Sequence, residues 1–250
     1  MYSHTKFAAA MLFIACAVTA PADQLLWDNY PGGIDALQNP NYCMSSERNT
    51  GVYDSTWVVD DVDITQIPGI EPGDVSLTRL EWVGARDADY GYSTCDVIIL
   101  DDDFNILIQL DDLPYTSVDH PYDMNEDLQL YEGSVDLVDG NQPPALGLPL
   151  ELPEHFYIGV RLVGAGYFQG ANRAVTSSVD ETLRGRTEGY TLAPLFGAPD
   201  WKPCSEVWYA PPTGSNFEFA MRVYADVIPE PAGLIFLLTG AVFMMRRRAV

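Results

Sequence analysis

The stretch Asn216–Ala225, NFEFAMRVYA, decides the fold class. Phe217, Phe219, Met221 and Val223 alternate with Glu218, Ala220, Arg222 and Tyr224. A period of two puts one set of side chains on a core face and the other in water, the signature of a half-buried strand. Upstream, Phe156–Val163 repeats the pattern, with Phe156, Ile158, Val160 and Leu162 on one face and Tyr157, Gly159 and Arg161 on the other. Further strands are predicted over Thr56–Ile64, Val75–Val83, Asp96–Leu100, Ile106–Leu110 and Leu128–Val138. The chain has 20 Gly and 18 Pro in 250 residues, enough to break it into short strands and many turns. Seven or more such strands predict an all-β fold, a two-sheet sandwich of the jelly-roll kind. Pro143, Pro144, Pro149 and Pro153 fall in connections, since proline cannot serve in a central strand.

Nothing between Asp23 and Asp226 marks an internal boundary: there is no Ser/Gly linker and no repeat of fixed period. One domain over 23–226 is the economical reading. The whole chain carries a formal charge of −23. Lys6 and Arg246, Arg247 and Arg248 stand outside the middle, which therefore holds 9 Lys/Arg against 35 Asp/Glu, a balance of −26. Such a surface repels phosphate backbones and attracts cations, so nucleic acid is excluded as a partner.

The two ends have a composition of their own. Residues 1–22, MYSHTKFAAAMLFIACAVTAPA, place one positive charge at Lys6 before an apolar run from Phe7 to Val18 and small residues at Ala20 and Ala22. This is the layout of a secretory signal peptide cleaved after Ala22. A lipoprotein signal at Cys16 is the alternative, but Phe13-Ile14-Ala15 lacks the leading Leu of that pattern. Cys43, Cys95 and Cys204 remain in the mature chain, without CxxC spacing or a nearby His set, which argues against zinc. They permit either one disulfide and one thiol, with the pairing open, or three buried thiols.

At the other end, residues 227–250 run Val227-Ile228-Pro229-Glu230-Pro231, then apolar from Ala232 to Met245, then Arg246-Arg247-Arg248. Fourteen residues of helix reach about 21 Å, short of the roughly 30 Å hydrocarbon core. Pro229 and Pro231 keep a helix from extending back into the domain. The positive-inside bias holds the arginines on the cytoplasmic side. This tail resembles a PEP-CTERM sorting signal, the tripartite ending of Gram-negative surface proteins processed by exosortase. The match covers residues 228–248, with Ile228 where Val is commoner and a short apolar run. The resemblance implies processing at Pro229, Glu230 and Pro231, a precursor held in the inner membrane by the apolar helix, and delivery to the cell surface or extracellular matrix. Over residues 25–110 the chain is loosely similar to β-sandwich regions that precede such tails, through Leu26-Trp27-Asp28-Asn29, Trp57-Val58-Val59-Asp60-Asp61 and Leu80-Glu81-Trp82. That similarity carries no functional residues.

Candidate chemistry in the middle is of three kinds. Asp101, Asp103 and Asn105, with Asp112, have the D-x-D-x-N spacing of a Ca2+ loop, but Ile106 stands where the EF-hand needs Gly. A hairpin from Val97–Leu100 into Ile106–Leu110 is the competing reading, with the aspartates in its turn. Acidic clusters at Asp60/Asp61/Asp63, Asp101–Asp103 and Asp119/Asp123/Asp127 are costly to hold together unless solvated or bridged by a cation, which makes Ca2+ the candidate cofactor. Trp201, Trp208 and Tyr209, among Pro203, Pro211 and Pro212, fall on predicted loops and offer an edge on which sugar rings stack. Trp57 and Trp82 lie inside strand patterns and are assigned to the core. Glu81 beside Trp82 is the carboxylate a glycan hydrolase would use, yet neither His120 nor His155 belongs to a catalytic motif. The sequence therefore points to a non-enzymatic structural or adhesive surface protein. A carbohydrate-binding module for extracellular polysaccharide and a glycan hydrolase are its rivals.

Overall fold

Fifteen strands form two sheets whose apolar faces meet. A computed structural model describes residues 23–34, 43–49, 55–70, 75–87, 92–125, 128–137, 152–164, 172–180, 185–207 and 216–227. The strands are β1 (Gln24–Asp28), β2 (Cys43–Ser45), β3 (Glu47–Asn49), β4 (Trp57–Asp63), β5 (Val75–Asp87), β6 (Tyr92–Leu100), β7 (Ile106–Leu113) and β8 (Thr116–Asn125). They continue as β9 (Leu128–Asp136), β10 (His155–Gly164), β11 (Asn172–Asp180), β12 (Tyr190–Ala193), β13 (Ala198–Pro203), β14 (Asn216–Phe219) and β15 (Met221–Val227). Helix among the described residues is limited to short turns such as Cys204–Val207, and none is long and apolar enough to cross a membrane. The fold is all-β, as the alternation predicts. The segment 1–22 read as a signal peptide, the segment 227–250 read as a sorting tail, with Pro229, Glu230, Pro231 and Arg246 to Arg248, and Trp208 and Tyr209 lie outside the described residues except for Val227, the last residue of β15.

One sheet runs β1-β15-β5-β11-β14, with β2 on β11, β9 on β5 and β8 on β9. The other runs β13-β12-β4-β10-β6-β7, with β3 added in parallel to β10. All other pairs are antiparallel, and several nest: β1 with β15, β4 with β10, β5 with β9, β6 with β7. Strand β10 is central, so both of its faces are covered and its polar-facing set is buried as well. Phe156, Ile158 and Leu162 from β10, Val97 and Ile99 from β6, and Leu77, Leu80, Trp82 and Val223 from the opposing sheet form one core cluster. Each such side chain adds about 1.5–3 kcal/mol on burial. This is the layer arrangement of a sandwich.

Two reciprocal glycine–aromatic pairs fix the register of β5 on β9. Trp82 stands opposite Gly133, and Tyr131 opposite Gly84. A Cβ on Gly133 would lie 2.3 Å from the Trp82 ring and one on Gly84 2.4 Å from Tyr131, so each ring lies flat over a position that must be glycine. The two rings meet edge to face, and Trp82 Nε1 donates to the Tyr131 hydroxyl at 3.2 Å. The indole N–H thus finds its partner inside the core, as a buried Trp requires.

The decisive stretch departs from its reading at one place. From Met221 to Asp226 the expected alternation holds, but Ala220 interrupts the ladder, and Asn216–Phe219 pairs with β11 rather than continuing β15. Glu218, assigned to the wet face, is 1% exposed. Trp201 is likewise corrected from loop to strand, in β13 at the edge of its sheet. An edge strand tolerates the prolines that bracket it.

Candidate metal centre

In β4 the residues Val58, Asp60 and Val62 share the face turned toward the other sheet, while Trp57, Val59 and Asp61 take the outer face. Val62 belongs to the shared core, and Val58 packs with Phe217 and Phe219 of β14. Asp60 is thereby carried into the interior at 1% exposure. Its Oδ2 accepts from Phe219 N at 2.6 Å and from Asn29 Nδ2 at 2.9 Å, and its Oδ1 from Asp61 N at 3.0 Å. Burial pushes its carboxyl well above the usual range, and Glu218 and Asp61 push it further. A cavity of about 20 Å3 touches Asp60 between the sheets, room for one water.

Asp61 is wholly buried, held by the segment that follows Gly185. Its Oδ2 accepts from Arg186 N at 2.5 Å, Thr187 N at 3.1 Å and His155 Nε2 at 2.7 Å. A Cβ on Gly185 would sit 1.9 Å from Asp61 Oδ1, so only glycine lets that backbone close over the carboxylate. Oδ1 itself is buried and has no hydrogen-bond partner among the described residues. The other ring nitrogen of His155 contacts Asp102 in the β6–β7 turn. Burial works against charge on His155, but the Asp61 and Asp102 carboxylates hold its pKa above the ordinary value.

Glu218 completes the group. Asp60, Asp61 and Glu218, all buried, each offer an oxygen within 4.8 Å of the others. Only oxygen donors are presented, the set that suits a hard cation such as Ca2+ rather than zinc. Asp63, counted with Asp60 and Asp61 in the sequence, is engaged elsewhere. Arg186 grips it with Nε at 2.8 Å and Nη2 at 3.2 Å, and Thr65 adds two bonds. Although burial opposes it, these donors hold the Asp63 carboxyl below the usual range. The acidic run in β4 was visible as a cluster; Glu218 was missed because two flanking phenylalanines made it read as the wet half of an alternating strand.

The other sequence-predicted residues lie apart from this group. Asp101 and Asn105 come together in the β6–β7 hairpin, as each other's partners. Asp101 Oδ1 accepts from Asp103 N at 2.9 Å and Asn105 N at 2.8 Å, and Asn105 Nδ2 bonds Asp101 Oδ2 at 2.9 Å. These donors lower the Asp101 pKa, Asn105 first. Asp101 therefore closes a turn in which Phe104 takes a φ of 61°. Asp119 pairs with Arg86, and Asp127 lies outside the described residues. Trp201 stacks on Phe104 at 5.8 Å and 16°, in an outer-face cluster with Tyr157 and Tyr190. Trp57 and Trp82 are buried, as assigned. Glu81 accepts from the Tyr224 hydroxyl at 2.9 Å beside Arg79 and Arg222. It lines an open groove of about 180 Å3 with Tyr30, Thr116, Glu132, Ser134 and Arg222. Cys95 and Cys204 are buried free thiols. No protein-family model, curated protein or solved structure matches the chain.

Proposed function

We propose that this chain is an exported, acidic cell-surface or extracellular-matrix protein with a structural or adhesive role, sorted through the 227–250 tail by an exosortase-type enzyme. In this reading residues 1–22 are a cleaved signal peptide, 23–226 a jelly-roll ectodomain, and the tail an inner-membrane anchor that processing removes. The nested pairing of β1·β15, β4·β10, β5·β9 and β6·β7 supports the jelly-roll assignment, because a folded-over antiparallel ribbon produces that order. The observation that carries the sorting assignment is the seating of both ends. β1 begins at Gln24, one residue beyond Asp23, and pairs with β15, which runs to Val227 just ahead of Pro229. Gln24 stands opposite Ala225, so both membrane-directed segments would leave the domain at one point of one sheet. Removal of residues 1–22, or of the chain from Pro229 on, leaves every described strand whole. Mass spectrometry of surface-extracted native protein tests this: the N-terminus is expected at Asp23 and the apolar tail is expected to be missing. An intact C-terminal peptide ending at Val250 would sink the assignment.

A second reading, binding of extracellular polysaccharide, is favoured by the groove on the outer face of the eight-stranded sheet. Glu81, Glu132, Thr116, Ser134 and Arg222 line it with carboxylate, hydroxyl and guanidinium groups that can hydrogen-bond sugar hydroxyls. Calorimetry with the host's own polysaccharide separates the two roles. Saturable heat lost on Glu132→Gln supports binding at the groove, and no heat leaves the structural role.

A further inference from the structure

We propose that Asp60, Asp61 and Glu218, together with the side-chain oxygen of Asn29, form a calcium site that ties β4 of one sheet to β14 of the other. Three observations converge on it. First, three carboxylates from two sheets are buried with oxygens within 4.8 Å of one another. Stripped of water at that spacing they repel one another, and a dication held among them would offset that repulsion. Second, Asp61 has one oxygen committed to three donors while the other, Oδ1, is buried and accepts no hydrogen bond from the described residues. Third, Asn29, 1% exposed, donates Nδ2 to Asp60, and its Oδ1 is buried with no hydrogen-bond partner among the described residues. A carboxamide with an idle oxygen is a normal ligand of calcium.

The rest of the neighbourhood narrows the choice of ion. His155 has both ring nitrogens engaged, by Asp61 and Asp102, so the site offers no imidazole ligand and is unsuited to zinc or copper. Four side-chain oxygens, three of them from carboxylates, suit the flexible all-oxygen shell of calcium better than the strict, water-rich octahedron of magnesium.

The test uses the full chain in mild detergent, stripped with chelator and titrated with CaCl2 by calorimetry, with thermal unfolding followed in parallel. One saturable site is expected, with an unfolding midpoint raised by about 5–10 °C at a hundredfold excess over Kd. Glu218→Gln is expected to abolish the calcium response, its unfolding midpoint being the same in chelator and in CaCl2. Asp103→Asn, in the hairpin turn, is expected to keep the response. Should Glu218→Gln fail to fold, Asn29→Ala replaces it and is expected to weaken binding about tenfold or more. A wild-type chain with neither heat nor midpoint shift would overturn the proposal in favour of protonated carboxyls. Calcium binding retained by both site variants, or lost in Asp103→Asn, would overturn it too.

Discussion

Replacing Asp96 by Ala isolates the cost of an orphaned buried charge. Asp96, wholly buried on β6, stands opposite Arg161 of β10 and accepts from its Nε at 2.8 Å. It also accepts from Arg48 Nη2 at 2.9 Å and from the backbone N of Asp112 at 3.0 Å. The two arginines differ in what remains to them. The Arg48 side chain is 28% exposed and also pairs with Asp112, so it retains a partner and water. Arg161, 8% exposed and lying 4.0 Å over the Trp57 ring, has one ion-pair partner among the described residues. Burial already lowers its pKa, against the pull of Asp96. Removing the carboxylate leaves the guanidinium buried and unpaired, at a cost of about 3–5 kcal/mol. For a domain of this size that is a midpoint drop of about 6–20 °C. Urea unfolding is the assay, with an unchanged m-value as the check that compactness is preserved. Arg48→Ala, by contrast, is expected to cost about 1 kcal/mol or less. Adding Arg161→Met to Asp96→Ala should recover about 2 kcal/mol, because the charge that had lost its partner is gone. If Asp96→Ala costs under about 1 kcal/mol, or the two substitutions simply add, the reasoning is wrong.

Three other outcomes follow from the same structure. Gly133→Ala puts a methyl group into the Trp82 ring at 2.3 Å and should cost about 1–3 kcal/mol by overpacking, read as a lower urea midpoint and a changed near-ultraviolet Trp signal. Burial pushes the Cys95 thiol up to about 12 and Cys204 well above its usual value, with Asp96 and Glu188 respectively adding to the effect. At pH 8 both should therefore resist iodoacetamide in the folded chain and react fully in urea, as peptide mapping would reveal; rapid labelling of native Cys95 would contradict the packing. Phe104→Ala opens the stack between Tyr157 and Trp201, and Trp201 fluorescence should shift to the red as its ring gains water.

What the sequence makes legible depends on how many faces of a strand are wet. β5, β6, β7, β9 and β10 announce themselves through apolar runs or alternation. β8, with Pro121 and four polar residues in its first five, and β13, bracketed by prolines, carry no such pattern, and neighbouring strands determine their pairing. The candidate site divides in the same way. Asp60-Asp61, set between Val59 and Val62 in a strand otherwise suited to a core, is a local anomaly that composition displays. Glu218 and Asn29 are not, because their burial depends on β14 and the segment after β1 arriving at β4 from 158 and 31 residues away. The D-x-D-x-N spacing is ambiguous for a physical reason: Asx turns and calcium loops both need short carboxylates and amides at alternate positions. Only the donors satisfied inside the turn tell the two apart.

The seating of β15 bears on how the molecule would carry load. A pull entering at Val227 runs along the strand axis, and the strand is laced to β5 from Trp82 down to Val75 on one side and to β1 on the other. Tension of that direction shears both ladders, so their hydrogen bonds resist together instead of parting one after another as in peeling. A protein tethered there would act as a mechanical rivet, its load shared between two ladders at the point of attachment.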